Sequence, residues 1–173
     1  MNILLVGTGP MAIEHAKVIN ALNKKLIVVG RGYKSSNKFF KKTNIKPNTG
    51  GINKFLNNSI IKSDFAIVSV GIDQLSKVTN SLINSGVKNI LVEKPGGLNL
   101  KELISIKKNA DKSGSNIFIA YNRRFYASTI YAEKAIKKDG GIISFNFEFT
   151  EWANEIEKLD KNLSIKENWF LAN

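Results

Sequence analysis

The chain has 173 residues and a mass of 19.2 kDa, enough for one ordinary domain with a buried core and the beginning of a second, but not for two full domains. Its 43% hydrophobic and 23% charged residues exclude wholesale disorder, and the absence of cysteine excludes disulfides, thiolate nucleophiles and cysteine-ligated metal sites. The net charge of +12 comes from 26 basic residues, of which only Arg31, Arg123 and Arg124 are arginines; they are spread along the chain without interleaved aromatics, which points to a solvated basic surface rather than a nucleic-acid face.

The chain opens with a short apolar run at 2–7, which reads as a strand buried on both faces and is too short and too poorly flanked for a signal peptide. Gly7-Thr8-Gly9-Pro10 interrupts it, and an amphipathic helix is expected over 11–22, with Ala12, Ala16 and Ala21 as small packing positions. A second strand is expected at 26–29, ended by Gly30-Arg31-Gly32. Between 33 and 58 the pattern suggests helices at 36–42 and 53–58 around a turn at 47–51, leaving room only for a very short third strand.

Strands follow at 65–70, 90–92 and 117–120, with helices at 73–84, 100–112 and 126–138 stopped by Gly86, Gly114 and Gly140-Gly141. The lysine pairs at 24–25, 41–42, 107–108 and 137–138 are expected near helix ends, where cations complement the helix dipole. Alternation of strands and helices with short connections predicts an α/β fold with a doubly wound parallel sheet over 1–140. The texture then changes. Residues 142–152 alternate Ile143, Phe145, Phe147 and Phe149 with polar residues, which predicts a half-exposed strand, the start of an antiparallel α+β domain over 141–173 that ends in Trp169 and Phe170. No run approaches the roughly 18 apolar residues of a membrane helix, so no membrane partner and a cytoplasmic setting are expected.

Three groups of residues carry chemistry. Gly7-x-Gly9-x-x-Ala12 sits between the first strand and the first helix. There Gly7 permits a tight turn, Gly9 lets the backbone approach a pyrophosphate, and Ala12 lets helix and strand pack closely, with helix-start amides to hold the anion. The same pattern is also compatible with a tight turn that binds nothing. At the end of the second strand, where a carboxylate would bind the ribose 2′-hydroxyl of NAD, stands Gly30, followed by Arg31, Tyr33, Lys34, Ser35 and Ser36. That set suits a 2′-phosphate and makes NADP the preferred cofactor over NAD, although Arg31 could equally be a plain surface residue. Glu93-Lys94-Pro95 ends a strand on the same sheet edge, where Lys94 could bind a substrate oxygen and join proton transfer, or pair with Glu93 at the surface.

Taken in order, Gly7-Thr8-Gly9-Pro10-Met11-Ala12, Glu93-Lys94-Pro95 and Tyr121-Asn122-Arg123-Arg124-Phe125 resemble the Gfo/Idh/MocA oxidoreductases, the glucose-fructose oxidoreductase and inositol dehydrogenase family, over about residues 1–150. The resemblance implies an N-terminal Rossmann domain, a nicotinamide cofactor, and hydride exchange with a hydroxyl or carbonyl of a sugar, cyclitol or nucleotide sugar. Together with the readings above, it leads to expected cofactor contacts from Gly7, Thr8, Gly9, Pro10, Met11, Arg31, Ser69, Val70, Gly71, Glu93, Lys94 and Asn122. By the same likeness Lys94 is the catalytic candidate, Lys94, Asn122 and Arg123 face the substrate, the Lys94–Pro95 bond is cis, and no metal is needed.

Two departures accompany it. Gly71-Ile72-Asp73-Gln74 stands where family members often carry Pro and His, and the family's substrate and oligomerisation domain would begin near Ile142 and extend here only to Asn173. His15, the only histidine, lies inside the first helix, where packing or a minor cofactor-side role is expected. The chain is therefore expected to be a cofactor-binding part, inactive alone, with a homo-oligomer or a missing domain as partner. The competing expectation is a non-catalytic dinucleotide module that works with a partner chain.

Overall fold

The computed structural model describes residues 2–58, 63, 65–148, 154, 157 and 158. Two compact units are distinguished, one running to Ala120 and one beginning at Tyr121. In the first, strands β1 (Asn2–Val6), β2 (Lys25–Val29), β3 (Phe65–Val68), β4 (Asn89–Val92) and β5 (Asn116–Ile119) form one parallel sheet in the order β2-β1-β3-β4-β5. Every neighbouring pair is parallel and in continuous register, for example Val6 beside Val29 and Val68.

Between the strands lie α1 (Pro10–Ala21), α2 (Tyr33–Thr43), α3 (Gly51–Asn58), α4 (Leu75–Asn84) and α5 (Leu100–Ser113), with a 3₁₀ turn at Ile72–Gln74 leading into α4. Strand order reverses between β1 and β3, so right-handed crossovers send α1 to one face of the sheet and α4 to the other. Helix contacts agree: α1 packs with α2, while α3, α4 and α5 touch in succession. The third strand that the sequence leaves room for is reduced to a single parallel bridge between Val29 and Asn48. Asn48 completes it by donating from its amide to Val28 O and accepting from Gly30 N, each at 2.8 Å.

The element boundaries follow the chemistry of their ends. α1 starts with Pro at its first position, where no amide is needed, and buries Ala12, Ile13, Ala16 and Ile19. Ala12, Ile13 and Ala16 meet Leu5, Val28 and Phe39 in a common core cluster. α5 is capped by Asn99, whose side chain accepts from Glu102 N at 3.1 Å, and it ends at Gly114 in the left-handed conformation.

Two sequence expectations change. Lys107 and Lys108 lie inside α5 rather than near its end, because the helix persists to Ser113; Lys107 reaches Asp111 one turn on, at 2.7 Å. Residues 142–148 form no strand, and 149–152, like Trp169 and Phe170, lie outside the described residues. Alternation makes one face of a strand apolar, but a strand exists only through a pairing partner, and the described residues of the second unit contain none.

Within that unit are a 3₁₀ turn at Asn122–Phe125 and α6 (Ala127–Lys138). They are joined by a bond from Thr129 Oγ1 to Arg123 O at 2.9 Å. In α6 the Lys137 ammonium hydrogen-bonds Glu133 and holds its carboxyl below the usual carboxylate range.

Candidate functional site

A parallel sheet places the C-terminal ends of all its strands on one edge, and ligands bind where the strand order reverses. In this sheet the reversal lies between β1 and β3, where Gly7 follows one strand and Ser69 the other. The two ends meet closely. Ser69 N donates to Val6 O and Gly7 N to Val29 O, each at 2.8 Å. Gly7 has φ +131°, and a Cβ there would stand 1.8 Å from Ser69 O, so only glycine fits.

Gly9 is different. It caps α1 with φ −80°, and a Cβ on it would meet nothing within 4 Å. Its openness leaves the helix start approachable. The first amide bonded inside α1 is that of Ile13, to Gly9 O at 3.2 Å, so the Met11 and Ala12 amides lie at the helix start by position. Thr8 is buried beside this turn, and Met11 is about half exposed.

At the end of β2 a second helix start converges on the same edge. α2 begins at Tyr33 behind Gly32, with no side-chain cap and no acidic residue in its first turn, as at α1. Thr8 Oγ1 donates to Ser35 Oγ at 3.0 Å and Ser35 Oγ to Gly32 O at 3.2 Å, so hydroxyls link the glycine turn to the head of α2. Gly30 is enclosed: a Cβ would lie 2.3 Å from Ser36 Oγ and 2.8 Å from Thr8 Cγ2. The usual carboxylate position is taken by glycine, and a side chain there would have to displace the Ser36 and Thr8 side-chain atoms. Arg31 and Lys34 are exposed beside it.

Farther along the edge, Ser69 is buried, Val70 is half-buried and Gly71 is exposed at the head of the 3₁₀ turn, where Asp73 Oδ2 accepts from Gln74 Nε2 at 2.8 Å. At the end of β4, Glu93 N donates to Val68 O at 2.9 Å and Gly96 N to Glu93 O at 3.0 Å. These bonds close a turn around a cis Lys94–Pro95 bond, with Lys94 exposed.

The structure adds a contact that no local pattern announces: His15 Nε2 lies 2.7 Å from Glu93 Oε1, across 78 positions of sequence, with both side chains largely buried. The carboxylate accepts from Nε2–H. Helical spacing can place His15 on a face of α1 but cannot name its partner. The Thr8–Ser35 link is equally invisible in the sequence, since it joins residues across two elements.

Gly7, Thr8, Gly9, Pro10, Met11, Arg31, Ser69, Val70, Gly71, Glu93 and Lys94 thus share one edge of the first unit. Asn122 and Arg123 belong to the 3₁₀ turn of the second. Among the described residues no group of His, Asp and Glu is arranged to hold a metal ion, and no helix is long and apolar enough to cross a membrane.

The chain's own features fit a dinucleotide. Two helix starts without caps or acids present donors to anionic groups, and a glycine leaves the first of them open. Ser36 Oγ, buried and without a hydrogen-bond partner among the described residues, marks the head of α2 as a place where polar chemistry exceeds what packing needs.

Such a sheet, reversing at a glycine turn, defines a dinucleotide-binding α/β domain. The model of the oxidoreductase family with an NAD-binding Rossmann fold, GFO_IDH_MocA, matches residues 1–121, and the chain belongs to that family. Solved structures share the fold. The WlbA dehydrogenase from Chromobacterium violaceum, in complex with NADH and UDP-GlcNAcA, is 15% identical with a TM-score of 0.69, over 80% of this chain and 40% of that one. The WlbA dehydrogenase from Bordetella pertussis, also with NADH and UDP-GlcNAcA, is 17% identical with a TM-score of 0.69, over 80% and 42%. Biliverdin reductase from Synechocystis sp. PCC 6803, in complex with biliverdin and NADP+, is 16% identical with a TM-score of 0.64, over 80% and 42%. The chain spans about two fifths of the length of these proteins. No curated protein matches it in sequence.

Proposed function

We propose that this chain captures NADP, in preference to NAD, for an oxidoreductase acting on a hydroxyl or carbonyl of a sugar, cyclitol or nucleotide sugar. One observation carries the cofactor preference: Gly30 supplies no carboxylate to read a ribose 2′-hydroxyl, while Arg31, Lys34 and the uncapped head of α2 stand beside it. Cations and helix-start amides favour a 2′-phosphate dianion.

Gly7 shapes the turn, and the Gly9-to-Met11 start of α1 receives the pyrophosphate. Ser69, Val70 and Gly71 form the floor at the sheet reversal, and Glu93 and Lys94 lie toward the nicotinamide. The bound cofactor supplies the hydride acceptor or donor. Lys94, an exposed residue of the turn after β4, binds the substrate oxygen and orients the carbon bearing the hydride. Asn122 and Arg123, in the second unit, carry the family motif's polar groups for cofactor and substrate.

His15 hydrogen-bonds Glu93, and Lys94 is the candidate for moving the substrate proton. The substrate class is supported by the family and by the nucleotide sugar that the WlbA dehydrogenases bind.

Calorimetry with NADPH and NADH tests the reading. Binding of NADPH in preference to NADH is expected, and Arg31→Asp should shift the preference toward NADH by about tenfold, the weight of one charge-assisted contact. No binding of either nucleotide overturns the proposal; an unchanged ratio removes the 2′-phosphate assignment. Cofactor binding with no oxidation or reduction of nucleotide sugars or cyclitols, even when the chain is extended, would correspond to a non-catalytic module.

A further inference from the structure

Side-chain contacts to carboxylates of two kinds occur among the described residues. Lys17–Glu14, Lys107–Asp111 and Lys137–Glu133 each lie within one helix and are well exposed. Such pairs stabilise a helix slightly. His15–Glu93 instead joins two elements, with side chains only 20% and 15% exposed. A hydrogen bond of this kind adds little net stability, so stability is a poor reason for it and fixed geometry a better one.

What it fixes is specific. His15 sits on α1, four residues beyond Met11 and so one turn past the start of that helix. Glu93 is the first residue of the turn that carries Lys94. That turn is held at its backbone by Glu93 N to Val68 O and by Gly96 N to Glu93 O. Gly96 also fits tightly against Ile119 and Leu103, where a Cβ would come within 2.7 Å and 3.1 Å. The Glu93 side chain ties this turn to α1 rather than to its own sheet neighbours.

We propose that His15 is a positioning residue: through its hydrogen bond to Glu93 it ties the Lys94 turn to the helix that receives the pyrophosphate, and so sets the distance between the two halves of the cofactor site. The proposal rests on the reading of this edge as an NAD(P) site. It assigns His15 no contact with substrate or cofactor. Loss of the tie leaves each half intact and misplaces one against the other, so it weakens ligands that span both halves and spares ligands that occupy only the adenosine half.

The test compares NADPH with 2′,5′-ADP, which lacks the nicotinamide half, on the full chain. Wild-type binding of both comes first, since failure to bind either overturns the function proposed above, an outcome separate from any effect of the variants. His15→Ala is expected to weaken NADPH by about tenfold and 2′,5′-ADP by less than about twofold, within the range of coupling between contacting residues. His15→Gln, which keeps an N–H donor, should restore most of the loss.

Glu93→Ala breaks the same contact without altering α1 and also removes a side chain that lies toward the nicotinamide. It should weaken NADPH at least as much as His15→Ala does while sparing 2′,5′-ADP, and the double variant should add nothing beyond Glu93→Ala. Equal weakening of both ligands, unchanged NADPH affinity, failure of the glutamine to rescue, or additive losses in the double variant would each overturn the positioning role. Should His15→Ala not fold, as read by near-ultraviolet circular dichroism, a His15→Leu variant, which keeps the side-chain bulk without a donor, compared with His15→Gln decides the matter.

Discussion

Two glycines of one turn serve different ends, and their surroundings separate them. Gly7 has a positive φ and faces Ser69 O at a distance no side chain tolerates, so Gly7→Ala must push β1 and β3 apart. We expect it to destabilise the domain by about 4 kcal/mol or more, read as a large fall in the denaturant midpoint. Gly9 has an ordinary φ and open space around it. Gly9→Ala should change stability by no more than about 1 kcal/mol, the scale of an N-cap effect. Its methyl group occupies the approach to the helix start, so NADPH affinity should drop by about tenfold or more, the scale of one lost charge-assisted contact. A variant that lost stability and affinity together at Gly9, or kept its fold at Gly7, would reverse these assignments. Their places in the motif already suggest a turn at Gly7 and an open approach at Gly9; the location of Ser69 gives the physical reason that only the first must be glycine. The enclosed position of Gly30 has the same character. Its missing carboxylate is legible in the sequence, but the Ser36 and Thr8 atoms that fill the space are not.

At the scale of elements, ends are set by local chemistry and pairing by distant chemistry. α5 begins at Asn99, whose side chain accepts from Glu102 N, while Glu102 Oε2 accepts from Leu98 N at 2.8 Å. Asn99→Ala should cost about 1 kcal/mol in thermal or chemical unfolding, with the helix content of the native state otherwise retained. These signals lie within a few residues of one another, which is why helix starts and glycine stops are legible from the chain. Residues 142–148 show the contrary case. Their alternation is as regular as that of any strand, yet pairing depends on a partner that local pattern does not name. Asn48 lies between these extremes, since two backbone bonds beside β2 yield a bridge without a strand.

Across the whole molecule, the five-stranded sheet presents two helix starts, a glycine turn and the Lys94 turn on one edge. A ligand that binds only this folded arrangement stabilises it by mass action. At a free concentration a hundred times its dissociation constant, NADPH should add about 2.7 kcal/mol, raising the melting temperature by about 5–10 °C for a chain of this size. A smaller rise with NADH at the same concentration is expected from the proposed 2′-phosphate contacts, and equal rises would count against them. The chain's sequence by itself determined the alternation of strands and helices, the glycine turn, the absence of a carboxylate at Gly30 and the family motifs, because each is written in residues close together along the backbone. Only the tertiary structure decided that Ser69 demands Gly7, that Thr8 reaches Ser35 and that His15 holds Glu93. Those contacts join residues up to 78 positions apart, and their geometry comes from the packing of separate elements rather than from any period in the chain.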